Sequence, residues 1–258
     1  MTIRSVELTA WLGQFLWPFI RVSAVLLTAP LFSNILIPVR LRVLLGVGLT
    51  VAVLPAVGNV PQLDPLSPEG VLVAGQQVLI GAAIGLLLAM AFQAVAIAGE
   101  TLSITMGLGF ATMISPQTGV SSSVISQFLL ILAMLLFLAV GAHLMLIQLL
   151  AESFRTLPIA ASGLGGQDVY ALVGWAGEMF AGGVLLALPA VAVLLIVNLI
   201  IGVMTRTAPQ MNIFSVGLPL TLLAGFVVVL IILLPALPEH MTDLWRSAFD
   251  GLRRILNG

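Results

Sequence analysis

Few side chains in this sequence could perform catalysis. His143 and His240 are its two histidines, and they lack the i,i+4 spacing that places two metal ligands on one helix face. The chain has no Cys and no Lys, which excludes thiolate metal sites and a phosphate-binding loop with its lysine. An intramembrane serine protease would need a base beside a serine, and we expect His143 to be the only buried candidate. We expect His143 to make a satisfied contact between helices, and we predict no enzymatic activity, no cofactor and no metal site.

Three ionisable residues fall in or beside apolar stretches. A charged side chain in the middle of a bilayer costs at least about 2.5 kcal/mol, so such residues are functional candidates by default. Glu178 lies in "GWAGEMFAGG", among small residues that would let another helix approach closely. For Glu178, a polar path, an intersubunit contact and a structural role all stay open. We expect Arg21 and Glu100 to pair within the fold or to reach towards the interface.

The composition places these residues in a membrane protein. The chain has 258 residues, of which 60% are hydrophobic and 7% are charged, and its mean hydropathy is +1.22. Soluble domains carry about a quarter charged residues. The formal net charge is −1, without a basic stripe that could meet nucleic acid. The sequence therefore predicts an integral membrane protein that binds lipid and does not bind nucleic acid.

The apolar stretches predict an all-α protein, because they are long and do not alternate as barrel strands would. A membrane-crossing helix needs roughly 20 apolar residues. Six long hydrophobic, kinked stretches meet or approach this length: 11–29, 41–57, 71–99, 124–151, 169–201 and 213–235. Gly182, Gly183 and Pro189 make the fifth stretch the one most expected to bend or break. "GAAIG" at 81–85 fits the small-xxx-small pattern of close helix packing.

The sequence also predicts two connecting loops and a helical C-terminal tail. Residues 58–70 and 152–168 are rich in Pro and Gly and predict loops. Residues 239–256 predict an amphipathic helix that lies in the membrane interface or docks on a partner. Its apolar residues recur at helical spacing: Met241, Leu244, Trp245, Ala248, Leu252, Ile255 and Leu256.

Residues 105–127, "TMGLGFATMISPQTGVSSSVISQ", form an unusual connection because they are both apolar and rich in glycine. Non-helical backbone of this kind is tolerated at membrane depth where it is buried in protein or lines a cavity. Pro116 prevents a continuous helix, and the run Ser121–Ser123 can cap a helix that starts near Val124. A flexible seal rich in methionine and a re-entrant packing loop both fit this composition.

A second phrase, "NLIIGVMTRTAPQMNIFSVGLPL", interrupts the apolar chain near its end. Together with "MGLGFATMISPQTGVSSSVISQ" and "RVSAVLLTAPLFSNILIPVRLRVLLGVGLT", it resembles the FliR family of bacterial flagellar type III export gates. The likeness covers nearly the whole chain, and the run 208–214, "APQMNIF", is its most specific part.

The resemblance implies an assembly. Family members are similar to one FliP-like and one FliQ-like subunit joined in one chain, here 1–165 and 166–258. They contribute one copy to a spiral of FliP-like and FliQ-like subunits, whose kinked helical hairpins surround a central pore. FlhA-like and FlhB-like components and unfolded export substrates are the further partners. The implied location is the flagellar basal body in the bacterial inner membrane.

By the same resemblance, residues 106–122 correspond to the loop that plugs the closed pore. Met106, Leu108, Phe110, Met113 and Ile114 would block ions, and Gly107, Gly109 and Gly119 would let the loop move aside. Pro116 belongs to the same plug.

The phrase at 205–220 would make intersubunit or polar-path contacts together with Glu178. Arg206, Gln210 and Asn212 would supply the polar groups, and Pro209 would end the fifth helix. The resemblance thus implies a structural, pore-forming subunit of the protein-export gate.

Two other interpretations remain. The injectisome export-gate component is a related family with a similar sequence. A small-solute secondary transporter also uses broken helices around a midplane site, but it should show corresponding interruptions in two halves of the chain. The sequence shows no such correspondence.

Overall fold

The computed structural model describes residues 5–34, 37–58, 60–108, 123–207 and 216–257, and this part of the chain contains helices and no strand. The all-α prediction is confirmed. In chain order the helices are α1 Ser5–Thr28, α2 Pro30–Ser33, α3 Val39–Val53, α4 Pro68–Thr105, α5 Val124–Ala139, α6 Ala142–Thr156, α7 Gly166–Gly174, α8 Ala176–Thr207, α9 Leu218–Val228 and α10 Leu234–Asn257. A 3-10 turn, Leu54–Ala56, extends α3, and a π-helical turn, Val229–Leu233, joins α9 to α10.

Four helical segments in the described residues are long and apolar enough to cross a membrane. They are Val39–Ala56, Pro68–Thr105, Gly166–Thr207 and Leu218–Leu256. The pair α5 and α6 passes the same test as one bent segment, and Gly13–Thr28 is a shorter apolar helix. The six predicted stretches therefore correspond to six helical regions, of which four or five can span a bilayer.

The main bend lies in the fourth region and not in the fifth. Gly141 lies between α5 and α6 and has a φ of 75°. Glycine adopts this left-handed conformation without a steric penalty, so it can end one helix and redirect the chain. The helix α8 continues through Pro189. Gly182 and Gly183 in α8 are buried where other atoms approach: a Cβ on Gly183 would lie 2.7 Å from the carbonyl oxygen of Ala94.

The chain forms two compact units. One contains Met1–Met90, Gly141–Ala176 and Trp245–Gly258, and the other contains Ala91–Val140 and Gly177–Leu244. The predicted division at residue 165 into two subunit-like parts stays a prediction.

In the first unit, small residues bring α1 and α4 into close contact. A Cβ on Gly81 would lie 2.7 Å from the Cβ of Ala24, and one on Gly85 would lie 2.8 Å from the backbone nitrogen of Ala29. The small-xxx-small prediction for 81–85 is confirmed, because each position allows a neighbouring backbone to approach where a larger side chain would clash.

Arg21 is the polar centre of the first unit. Its side chain is fully buried. Nε donates to Oε1 of Gln77 at 2.8 Å, while Nη1 donates to the carbonyl oxygen and Oγ of Ser153 at 2.8 and 3.1 Å. Nη2 donates to the carbonyl oxygen of Leu157 at 2.8 Å, and the guanidinium carbon lies 4.2 Å from the ring centre of Phe154. The prediction that Arg21 pairs within the fold is confirmed.

These partners explain how a cation is accommodated where no carboxylate of the described residues contacts it. Ser153 is in the last turn of α6, and Leu157 is its C-cap. The free carbonyl groups at a helix C-terminus carry partial negative charge, so a cation there is stabilised by the helix dipole and by direct hydrogen bonds. Arg21 thus binds α1 to α4 and to the end of α6.

The predicted connections are shorter than the sequence suggested. Pro68 already opens α4, and proline suits a first helical turn because its missing N–H would be unpaired there anyway. The helix α6 continues to Thr156 and α7 begins at Gly166, so only 157–165 of the predicted loop 152–168 is non-helical between them.

The amphipathic tail is helical, as predicted, but its apolar face is buried within the chain. Met241, Leu244, Trp245, Ala248, Leu252, Ile255 and Leu256 are all buried. The polar residues of the opposite face, such as Asp250 and Arg253, are exposed. The prediction that this apolar face lies in the membrane interface or docks on a partner is therefore wrong, because the chain's own core already removes it from solvent.

Replacing Arg21 should destabilise the purified chain. Arg21→Leu leaves the acceptors of Gln77, Ser153 and Leu157 without the guanidinium, and we expect a loss of roughly 2–4 kcal/mol. Arg21→Lys keeps the charge but not the planar fork, so its loss should be smaller. Thermal unfolding in mild detergent measures both.

The control for this series is Arg40→Leu, which removes an exposed arginine. It should leave the unfolding temperature nearly unchanged. If Arg21→Leu unfolds at the same temperature as the parent chain, the buried network does not stabilise the fold.

Candidate functional site at the base of the predicted plug loop

The structure describes three of the predicted plug residues, at the end of α4. Met106, Gly107 and Leu108 follow directly after Thr105. The remaining predicted residues lie outside the described part of the chain: Gly109, Phe110, Met113, Ile114, Pro116 and Gly119. The geometry therefore concerns the base of the loop, where it leaves α4 and where it joins α5.

At the base of the predicted plug loop, α4 ends in a defined hydrogen-bonded turn. The N–H of Leu108 donates to the carbonyl oxygen of Ser103 and that of Gly107 donates to Ile104, both at 3.0 Å. Gly107 has a φ of 81°. This pair of hydrogen bonds around a left-handed glycine is the Schellman motif, which ends helices and satisfies their free carbonyl groups. Gly107 sets a defined turn at this helix end; a role in loop movement stays a prediction.

Met106 is fully buried and packs on α9. A Cβ on Gly225 would lie 2.6 Å from the Sδ of Met106. Gly225 therefore provides the space that the methionine side chain occupies. Within this chain Met106 anchors the base of the loop to a neighbouring helix.

Asn198 supplies a further tie at the same place. Its Nδ2 donates to the carbonyl oxygen of Thr105 at 3.0 Å, and its Oδ1 accepts from Oγ1 of Thr221 at 3.3 Å. The Thr221 hydroxyl also lies 3.0 Å from the carbonyl oxygen of Gly217, so its single proton is shared between two acceptors. One carboxamide on α8 thus contacts the end of α4 and the first turns of α9.

A cavity of about 350 Å³ adjoins this tie. Asn198, Thr105 and Thr221 contribute its polar groups, and Gly107, Gly202 and Gly217 contribute backbone. Apolar side chains of Ile104, Met106, Ile201 and Leu218 form the rest of the lining. The helix ends around the loop base are therefore not closely packed on every side.

The far end of the loop is capped as well. Oγ of Ser123 accepts from the N–H of Ser126 at 3.1 Å, which confirms the predicted serine cap of a helix starting at Val124. The N–H of Ser123 donates to Oε2 of Glu100 at 3.2 Å. The prediction that Glu100 pairs within the fold is confirmed, and its carboxylate ties α4 to the start of α5.

Close packing reinforces that tie. Oγ of Ser126 donates to the carbonyl oxygen of Ala96 at 3.2 Å, and a Cβ on Gly99 would lie 2.9 Å from the backbone nitrogen of Ser126. Both ends of the segment 109–122 are therefore held on one helical hairpin, α4 and α5, by hydrogen bonds and by a glycine contact.

The predicted intersubunit residues are only partly described. Glu178 lies in the first turn of α8 and Arg206 in its last turn, and both are exposed. These positions suit the helix dipole, which favours negative charge at the N-terminus and positive charge at the C-terminus. Pro209, Gln210 and Asn212 lie outside the described residues, although α8 ends at Thr207, just before Pro209.

The histidines play different structural parts. Nε2 of His240 lies 2.8 Å from the carbonyl oxygen of Gly182, a contact that the sequence did not suggest. Nδ1 of His143 is buried and has no hydrogen-bond partner within the described ranges. The expectation that His143 is a satisfied contact is therefore wrong for this nitrogen, because no acceptor or donor of the described residues reaches it.

Sequence reasoning missed Asn198, Thr221 and Gly225. A signal existed for Asn198, since it is the only polar side chain in the apolar run from Met179 to Met204. Thr221 and Gly225 stand in an apolar helix without a distinctive pattern, and their partners lie far away in sequence.

The comparisons with known proteins all indicate the same protein family. The profile described as "Bacterial export proteins, family 1" matches residues 12–248. The chain is 42% identical over 256 residues to the flagellar biosynthetic protein FliR of Pectobacterium carotovorum subsp. carotovorum, covering 99% of this chain and 97% of that one. It is 36% identical over 259 residues to the protein of the same name from Escherichia coli K12, covering 100% and 98%. The Bacillus subtilis 168 protein of that name is 33% identical over 245 residues, covering 94% of each.

Two glycine substitutions, one inside α4 and one just after its end, should have opposite effects on stability. Gly107→Ala places a Cβ in the left-handed region, and we expect a loss of about 1–2 kcal/mol. Gly75 lies inside the same helix, is exposed and has open space around it. Gly75→Ala should therefore stabilise the chain by about 0.5–1 kcal/mol.

Thermal unfolding of the two variants in the same detergent checks this contrast. Equal shifts of the same sign would contradict the assignment of Gly107 as the residue that ends α4.

Proposed function

Because the chain belongs to the bacterial export proteins, family 1, we propose that it is a pore-forming subunit of the flagellar type III protein-export gate. The chain is a flagellar biosynthetic export protein of the FliR family with helices that can span a membrane. What we propose is its part in the pore and in passing unfolded flagellar substrates across the bacterial inner membrane.

The observation that carries this proposal is the base of the predicted plug loop. The apolar, glycine-rich segment 109–122 is held at both ends by capped helices of one hairpin. A seal in a pore has to be fixed at its attachment points, since otherwise thermal motion would open a path for ions. An apolar constriction can then exclude water and ions by dewetting.

The exposed apolar surface supports a place among other hydrophobic partners. In Val39–Ala56, only 17% of the apolar stretch that could cross a membrane is buried within the chain. The corresponding share in Pro68–Thr105 is 61%. The helix α8 likewise exposes large apolar side chains such as Leu185, Leu195 and Leu199. Surfaces of this kind require lipid or other subunits. We propose that FliP-like and FliQ-like subunits cover part of them, with FlhA-like and FlhB-like components nearby in the basal body.

In this proposal the chain is structural and has no catalytic residues, and other components of the export machine supply the energy. Glu178 and Arg206 are exposed at the two ends of α8 and would serve intersubunit or polar-path contacts. We propose the same role for Pro209, Gln210 and Asn212. The names of the relatives favour the flagellar gate over the injectisome gate.

Purification with its proposed partners tests the assembly. We expect the tagged chain, expressed with FliP-like and FliQ-like neighbours, to purify in mild detergent as one discrete complex. Native mass spectrometry should give a mass that contains one copy of this chain and several copies of each neighbour. A monomer or homodimer of this chain, from a preparation in which the neighbours are folded and present, would argue for a transporter instead.

Deletion of residues 110–116 tests the seal. The shortened loop should raise the ion leak across membranes that contain the assembled complex, because apolar side chains leave the constriction. Flux of a small ion from vesicles measures the leak, and native mass spectrometry confirms that assembly persists.

As a control for this deletion, Leu66→Gln removes an apolar side chain that is 90% exposed in a different connection. Its leak should equal that of the parent complex. An unchanged leak in an assembled deletion complex would show that the loop only packs and does not seal.

A further inference from the structure

The side-chain amide of Asn198 lies close to the attachment points of two distinctive segments, the predicted plug loop and 208–215. Asn198 contacts the carbonyl oxygen of Thr105, which lies just before the predicted plug, and the hydroxyl of Thr221, which lies just after the segment 208–215. Both segments therefore join helices that meet the same side chain.

An amide in an apolar helix needs a structural reason. Burying an unpaired carboxamide costs free energy, and helices in membranes use such groups to form hydrogen bonds with one another. Asn198 is half-buried and uses both ends of its carboxamide, Nδ2 as donor and Oδ1 as acceptor.

The carbonyl group of Thr105 is one of the free acceptors at the end of α4. The Schellman hydrogen bonds satisfy Ser103 and Ile104, and Asn198 satisfies Thr105. Three consecutive carbonyl groups at this helix end are thus paired, and the third depends on a side chain from a different helix.

Because a cavity lies beside it, this hydrogen bond contributes more to the relative position of the helices than it would in a closely packed site. A space of about 350 Å³ adjoins Thr105, Asn198 and Thr221, so these residues are not packed against other side chains on that side. Where side chains do not interlock, dispersion and apolar burial hold the helices less strongly, and directional polar contacts decide their relative position.

We infer that Asn198 is a positioning residue: it fixes the end of α4 to the start of α9, and thereby gives the predicted plug loop and the segment 208–215 a common anchor. The inference rests on the proposed gate function for its effect on ion leak. Its structural part concerns distances within this chain alone and does not depend on that function.

The absence of cysteine from the sequence makes a distance measurement direct. Ile104→Cys on α4 and Leu223→Cys on α9 place two nitroxide labels at positions that are 65% and 65% exposed. Pulsed electron paramagnetic resonance on the full chain in detergent then reports the distribution of distances between the two helices.

Three substitutions are compared in this labelled chain. Asn198→Leu removes donor and acceptor at similar size. Thr221→Val removes the hydroxyl and keeps the bond from Asn198 to Thr105. Gln93→Leu removes an exposed amide elsewhere on α4 and serves as the matched control.

We expect Asn198→Leu to raise the population with separated helices by about three- to thirtyfold, the ratio that corresponds to typical energies of interhelical hydrogen bonds in membranes. Thr221→Val should give a smaller rise, because its proton is shared with Gly217. Gln93→Leu should leave the distribution unchanged. If Asn198→Leu unfolds the chain, Thr221→Val still tests the link to α9.

A distance distribution that is the same in Asn198→Leu and the control overturns the anchor. In the assembled complex without labels, Asn198→Leu should also raise ion leak while assembly persists. Separated helices with an unchanged leak would overturn the positioning role and leave the distance result in place. Failure of the parent chain to form any complex would count against the proposed function and not against the anchor.

Discussion

The fold depends on pairing the free backbone groups at helix ends where little water is available. A helix leaves its last carbonyl and first amide groups without partners, and in an apolar setting each unpaired group is costly. The chain meets this requirement with polar side chains taken from distant helices. Arg21 of α1 binds the end of α6, and Asn198 of α8 binds the end of α4. Glu100 of α4 binds the N-cap of α5.

Two polar side chains that are withdrawn from solvent follow this constraint: Arg21 is fully buried and Asn198 is half-buried. Each of these side chains closes a helix end and at the same time joins two or more helices. Arg21 of α1 contacts α4 and the end of α6 through one planar guanidinium, a geometry that lysine cannot reproduce. Helix capping and helix packing are therefore the same interaction here, and a substitution at one such residue affects both.

The sequence predicted the local features well, because they depend on local patterns. Apolar runs, the cap at Ser123 and the amphipathic period of α10 all follow from neighbouring residues. The bend at Gly141 was missed because glycines and a proline in α8 gave a stronger local signal, although those glycines serve close approach. The partners of Arg21 and Asn198 lie up to 136 and 93 positions away, and no local pattern encodes such pairs. The burial of the apolar face of α10 within the chain's own core was missed for the same reason.

The division between buried and exposed polar residues indicates which of them are available to neighbours. The hydrogen-bonding groups of Arg21, and largely those of Asn198, already have partners within the chain. Neither residue can form hydrogen bonds with another subunit without weakening the attachment of a helix end. Glu178 and Arg206 are exposed at the ends of an apolar helix, where the helix dipole already offsets part of the cost of their charge. A charged group beside exposed leucines and valines is costly against lipid but useful against a complementary subunit surface. In the proposed assembly, selective contacts with neighbouring subunits would therefore concentrate at the ends of α8, while its long apolar middle would contribute area and little specificity.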